Sequence, residues 1–123
     1  MKIQYATRKV ERICTDRKYG VRFFGGNRLL FDNLLSCLAK IARAHDIVDL
    51  QHAYTLRLHR LRNNGHRNLE GYYAVDVKNI RDPWRLIIQF LDSNGEPFAT
   101  PDIDVNASEI SIVEIEEVSK HYE

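Results

Sequence analysis

YTLRLHRLRNNGHRNLEGYYAVDV, residues 54–77, decides how the chain is read. Tyr54, Leu56 and Leu58 alternate with Thr55, Arg57 and His59, a period of two that predicts a strand with one apolar face and one face carrying Arg57 and His59. Asn63-Asn64-Gly65-His66 is turn chemistry, and Tyr72 to Val77 resumes an aromatic and β-branched run, so the segment predicts a β-hairpin. Four arginines and two histidines fall within residues 57–67 of a chain whose formal net charge is only +1.

Working downstream, Asn79 to Pro83 predicts a second turn and Trp84 to Leu91 a strand in which Trp84, Leu86, Ile88 and Phe90 share a face. Arg85 lies on the opposite face beside Ile87 and Gln89. Residues 92–108 are polar, contain two of the three prolines and predict a long loop. Ile110 to Val118 completes the sheet with Glu114, Glu116 and Glu117 at exposed positions.

Upstream, Lys2 to Tyr5 predicts a short strand, and Thr7 is placed to cap a first helix. That helix carries Val10, Ile13 and Cys14 on one side and Arg8, Lys9, Arg12, Arg17 and Lys18 on the other. Gly20 to Gly26 interrupts. Asn27 caps a second helix on which Leu30, Leu34, Leu38 and Ile41 recur at helical spacing, and Asp46 caps one further turn around Ile47 to Leu50. Helices first and an antiparallel meander afterwards predict an α+β domain spanning residues 1–123, with two N-terminal helices on one face of a mostly antiparallel, four- to five-stranded sheet. The other face is expected to be open.

Composition bounds the function classes. A chain of 123 residues, 44% apolar and 28% charged, is expected to form one globular domain. No stretch approaches the roughly 20 apolar residues of a membrane span, and Met1-Lys2-Ile3-Gln4 leads into no signal-peptide core, so the expectation is a cytoplasmic protein without a membrane partner. Cys14 and Cys37 occupy apolar helical positions and are expected to be reduced core thiols. Charge is segregated along the chain, with +5 in residues 1–56, +4 in 57–85 and −8 in 86–123. Such polarity suits attraction of a polyphosphate if the acidic part folds onto another face, and equally suits a solvated surface on which the fold mixes the two signs.

No GxGxxG, phosphate loop, HExxH or GxSxG occurs, and His59 and His66 lack a carboxylate at metal-ligand spacing, so neither cofactor nor metal is expected. What remains is the cluster Arg57, His59, Arg60, Arg62, His66, Arg67 and Arg85 with Tyr72 and Tyr73. Cleavage of RNA needs a group that takes the 2′-hydroxyl proton, a group that protonates the departing 5′-oxygen, and a cation for the phosphorane between them. Histidine, arginine and tyrosine can fill those roles. The same residues can also simply grip phosphates.

The order of motifs adds to this reading. ERICTDRKYG at 11–20, the stretch 49–77, PWRLIIQF at 83–90 and IVEIEEVSKHY at 112–122 together resemble the RelE/ParE superfamily of toxins, and among them the HigB-like "killer" proteins of type II toxin-antitoxin systems. The resemblance runs over nearly the whole chain. It implies a RelE-like fold and a ribosome-dependent endoribonuclease that cuts mRNA without metal and inhibits translation. A helix-turn-helix, HigA-like antitoxin would neutralise it, in a hetero-oligomer that can sit on operator DNA. On that resemblance His59 matches a strand-end histidine, Gly71 a turn glycine, Arg85 the arginine that holds the scissile phosphate, and Arg62 a basic hairpin position. Lys120-His121-Tyr122 stands where the family pattern reads aspartate-tyrosine-histidine, so the aromatic and imidazole are exchanged and the acid is missing.

The expected site is therefore His59, Arg85, His121 and Tyr122 for catalysis, with Arg57, Arg60, Arg62, His66, Arg67 and Lys120 on RNA. His59 or His121 serves as base or acid, and Tyr122 positions substrate. Two other outcomes stay open: a ParE-like poison of DNA gyrase, and a catalytically silent module that binds the antitoxin alone. Geometry supplies one condition, since Arg57, His59 and Arg85 share a sheet face and meet only if their strands are neighbours.

Overall fold

The computed structural model describes residues 1–61, 69–98 and 103–120. β1 (Lys2–Tyr5) leads to α1 (Arg8–Thr15), whose start is fixed by the Thr7 hydroxyl accepting from the Val10 N–H at 3.2 Å. The first helix does not continue through Arg17 and Lys18 to the expected break at Gly20–Gly26. The helix ends instead at Asp16, an extended residue that closes α1 through its own N–H to Arg12 and opens α2 (Arg17–Phe23) through its carboxylate on the Tyr19 N–H. Gly20 is inside α2 because the ring of Phe31 and the carbonyl of Ile13 occupy the space of a side chain there.

Gly25 and Gly26, at φ +68° and +88°, reverse the chain into α3 (Arg28–Arg43). Asn27 caps α3 on the Leu30 N–H at 3.0 Å, and Leu30, Leu34, Leu38 and Ile41 all face the core as their spacing requires. Asp46 caps α4 (Ile47–His52) in the same way. No helix among the described residues is long and apolar enough to cross a membrane.

The expected strand from Tyr54 to His59 is mostly absent. Tyr54–Leu56 forms a 3₁₀ turn, Arg57 adopts the left-handed conformation at φ 49° and ψ 55°, and only His59–Arg60 (β2) pairs. Part of the alternation of burial survives the change of backbone, since Leu56 and Leu58 still pack into the core while Arg57 and His59 face away, but Tyr54, expected beside the leucines, is exposed. A 3₁₀ turn followed by one left-handed residue returns the second leucine to the side of the first.

β3 (Tyr72–Asp76), β4 (Trp84–Leu91) and β5 (Ile112–Lys120) complete a five-stranded mixed sheet in the order β1-β5-β4-β3-β2, with β1 parallel to β5 and the other pairs antiparallel. The long acidic connection contains a turn paired back through Pro97, a short helix α5 (Ile103–Asn106) and a 3₁₀ turn. The main core lies between the helices and the face formed by Val113, Ile115, Val118, Leu86, Ile88, Tyr73 and Val75. The second face is not open throughout, because Leu61, Leu69, Ala74 and Ile87 are buried together on it. The architecture is thus α+β, with helices on one side of the sheet.

Candidate functional site

Strand register sorts the face opposite the helices into three cross-sheet rows. Gln4, Glu114, Gln89 and Tyr72 form the first, Glu117, Ile87, Ala74 and His59 the second, and Ser119, Arg85 and Asp76 the third. The condition set by the sequence is not met, since Arg57, His59 and Arg85 share this face but β3 lies between β2, which carries His59, and β4, which carries Arg85.

What Arg57 and Arg85 meet there is Asp76. Arg57 donates from Nε to Oδ2 at 2.9 Å and from Nη2 to Oδ1 at 3.0 Å, and Arg85 Nε lies 3.1 Å from Oδ1. Asp76 and Arg85 are each 3% exposed. The rest of the Arg85 guanidinium donates to the carbonyls of Asn79, Ile80, Asp82 and Trp84, so it knits the β3–β4 turn. This differs from the expectation that Arg85 faces a scissile phosphate: its donors are turned into the turn and covered. Arg57, expected on RNA, is likewise engaged by a carboxylate.

His59 is placed differently. Its Nδ1 lies 2.7 Å from the carbonyl oxygen of Arg57. A carbonyl only accepts, so Nδ1 carries the hydrogen, and in the neutral ring Nε2 holds the lone pair. Nε2 is buried and has no hydrogen-bond partner among the described residues. Its Cα lies about 12 Å from that of Arg85, two strands across and two residues along. Arg60 is exposed at the sheet edge on the alternate face, opposite Tyr73. Lys120 pairs with Trp84 and sets its ammonium 4.9 Å from the indole centroid, on the helix side of the sheet and away from His59. Arg62, His66, Arg67, His121 and Tyr122 lie outside the described residues.

The helical layer carries both signs of charge, with Glu11, Asp16, Asp32, Asp46 and Asp49 exposed among its cations. Arg8, Lys9, Arg12, Lys18, Arg22 and Arg28 are exposed on the helical layer, where Arg17, Lys18, Val21 and Arg28 line a cleft of about 300 Å³. Glu114, Glu116 and Glu117 are half-buried rather than exposed as expected, near a register shift at Ile87/Ile88. Gln4 Nε2 donates to Glu114. Burial, then a hydrogen bond with Glu114 and its charge, push Glu116 up to about 8.

Burial also pushes Cys14 and Cys37 up to about 12, so both thiols stay protonated and unreactive near neutrality. Among the described residues no group of three or more His, Cys, Asp or Glu is placed to hold a metal ion.

Sequence reasoning missed Asp76. Its signal was present, since it is the single acid in the run Tyr72–Val77 and is brought opposite Arg85 by the intervening turn. Compared with family models, with curated proteins and with solved structures, the chain matches none.

Proposed function

We propose that this chain is the toxin of a type II toxin-antitoxin pair, an endoribonuclease of RelE/HigB-like type that cuts mRNA on the ribosome and is held inactive by a helix-turn-helix antitoxin. The observation that carries the reading is His59, whose ring is oriented by a backbone carbonyl and whose Nε2 is left as an acceptor on the sheet face opposite the helices. In the proposed reaction Nε2 takes the 2′-hydroxyl proton as that oxygen bonds to phosphorus. The bond from phosphorus to the 5′-oxygen breaks, and a second group protonates the departing oxygen. The family resemblance offers His121 or Tyr122 for that second role. Arg60, Arg62, His66 and Arg67 follow His59 in sequence and are assigned to the RNA backbone.

One observation favours a second reading, a silent antitoxin-binding module: the arginine matched to phosphate binding, Arg85, is committed to a turn and to Asp76. Induced expression with mapping of mRNA ends separates the two. Growth arrest with new mRNA ends that disappear in His59→Ala supports the ribonuclease. Tight antitoxin binding with neither arrest nor cuts supports the module. Arrest with DNA damage and intact mRNA points to gyrase.

A further inference from the structure

We infer that Arg57 and Asp76 are positioning residues that fix the ring form of His59, an inference that rests on the reading of His59 as the proton-transfer group. The chain of contacts starts in β3. Asp76 is buried, and its two carboxylate oxygens receive a two-point fork from Arg57 at 2.9 and 3.0 Å. That fork anchors a residue whose backbone is unfavourable for an L side chain, at φ 49° and ψ 55°.

The backbone N–H of Arg57 donates to Tyr54 at 3.1 Å, which leaves its carbonyl directed at the imidazole of His59, 2.7 Å from Nδ1. The left-handed residue thus converts a side-chain ion pair into a placed acceptor. Release of the fork lets residue 57 leave the left-handed region, the carbonyl turns away, and the proton is free to move to Nε2. A base whose Nε2 carries the proton cannot accept one from a 2′-hydroxyl.

Arg57→Ala and Arg57→Met test this in the full-length chain. Both lose the fork and keep a Cβ that is strained at positive φ, and methionine retains the apolar stem of the arginine, so at least one variant keeps a fold that can be read. Long-range proton–nitrogen spectra of the imidazoles, recorded at a pH where His59 is neutral, report which ring nitrogen bears hydrogen. The native chain is expected to show predominantly Nδ1–H, and in each folded variant the ratio of that form to Nε2–H is expected to fall about fivefold, the loss of one net hydrogen bond. Retention of the native ratio in either folded variant overturns the assignment. The measurement uses no RNA, so a chain that responds in this way yet cleaves nothing refutes the ribonuclease reading and leaves the positioning intact.

Discussion

Replacing Asp76 by asparagine keeps the shape of the side chain and removes its charge from between two arginines. The two partners differ in what they can do next. The Arg57 side chain is 31% exposed and can turn to water, whereas that of Arg85 is 4% exposed and is tied to four turn carbonyls. A buried cation left without its counter-charge costs about 3–5 kcal/mol. An attraction of about 4 kcal/mol between charges roughly 4 Å apart, at an effective dielectric constant of about 20, is of the same size.

For a chain of 123 residues the unfolding entropy is about 0.26 kcal/mol/K, so Asp76→Asn is expected to lower Tm by about 15 °C. Arg57→Ala leaves Asp76 paired with Arg85 and is expected to cost only about 1 kcal/mol. Calorimetry and urea titration of both variants at one pH and salt concentration measure the difference. A Tm drop of less than about 4 °C in Asp76→Asn, or equal costs in the two variants, would refute the assignment of Asp76 as the counter-charge of a buried arginine. Converting both partners to apolar residues is not expected to restore stability, because the four carbonyls would lose their donors.

Other outcomes follow from the same geometry. Gly20→Ala places a methyl 2.2 Å from the Phe31 ring and 2.5 Å from the Ile13 carbonyl oxygen, and a denaturation midpoint should report a loss of about 2–4 kcal/mol despite the better helix propensity. Glu116 holds its proton to about pH 8 when folded, against an ordinary value of 4.5, so its contribution to stability is complete below pH 4.5 and declines as pH rises through 8. Its half exposure screens the effect to about 1–2 kcal/mol, and Glu116→Gln should flatten the stability profile across that window. His59→Ala is expected to abolish mRNA cleavage while shifting the denaturation midpoint by no more than about 1 kcal/mol; a folded variant with native cleavage would exclude His59 from the chemistry.

Local signals in this chain are legible wherever a side chain acts on its own backbone. Thr7, Asn27 and Asp46 cap where their chemistry says they should, and the leucine periodicity of α3 meets the core without exception. Around Leu56 and Leu58 the pattern gives burial correctly and backbone wrongly, because a 3₁₀ turn with a left-handed residue presents the same two leucines as a strand. Pairings distant in sequence carry no local trace. The parallel union of β1 with β5 joins residues about 110 apart, and the role of Asp76 depends on two arginines, one following the 3₁₀ turn and one in β4. The cationic cluster read from residues 57–85 is therefore reduced at its ends, with Arg57 and Arg85 serving the fold and the buried Nε2 of His59 left without a partner among the described residues.

The sheet order also governs when the fold can form. β5 is the last described strand, yet it lies between β1 and β4, and it supplies Val113, Ile115 and Val118 to the main core. During synthesis the first strand has no parallel partner and β4 keeps an unpaired edge until residues 112–120 have left the ribosome. A chain truncated before Ile112 exposes both edges and an incomplete core, so it is a target for chaperones and proteases rather than a smaller active protein. Closure of the N-terminal strand by the C-terminal one makes folding a late, largely all-or-none event with slow, long-range pairing. On the proposed reading, in which the chain acts on translation, emergence of β5 becomes the condition for activity.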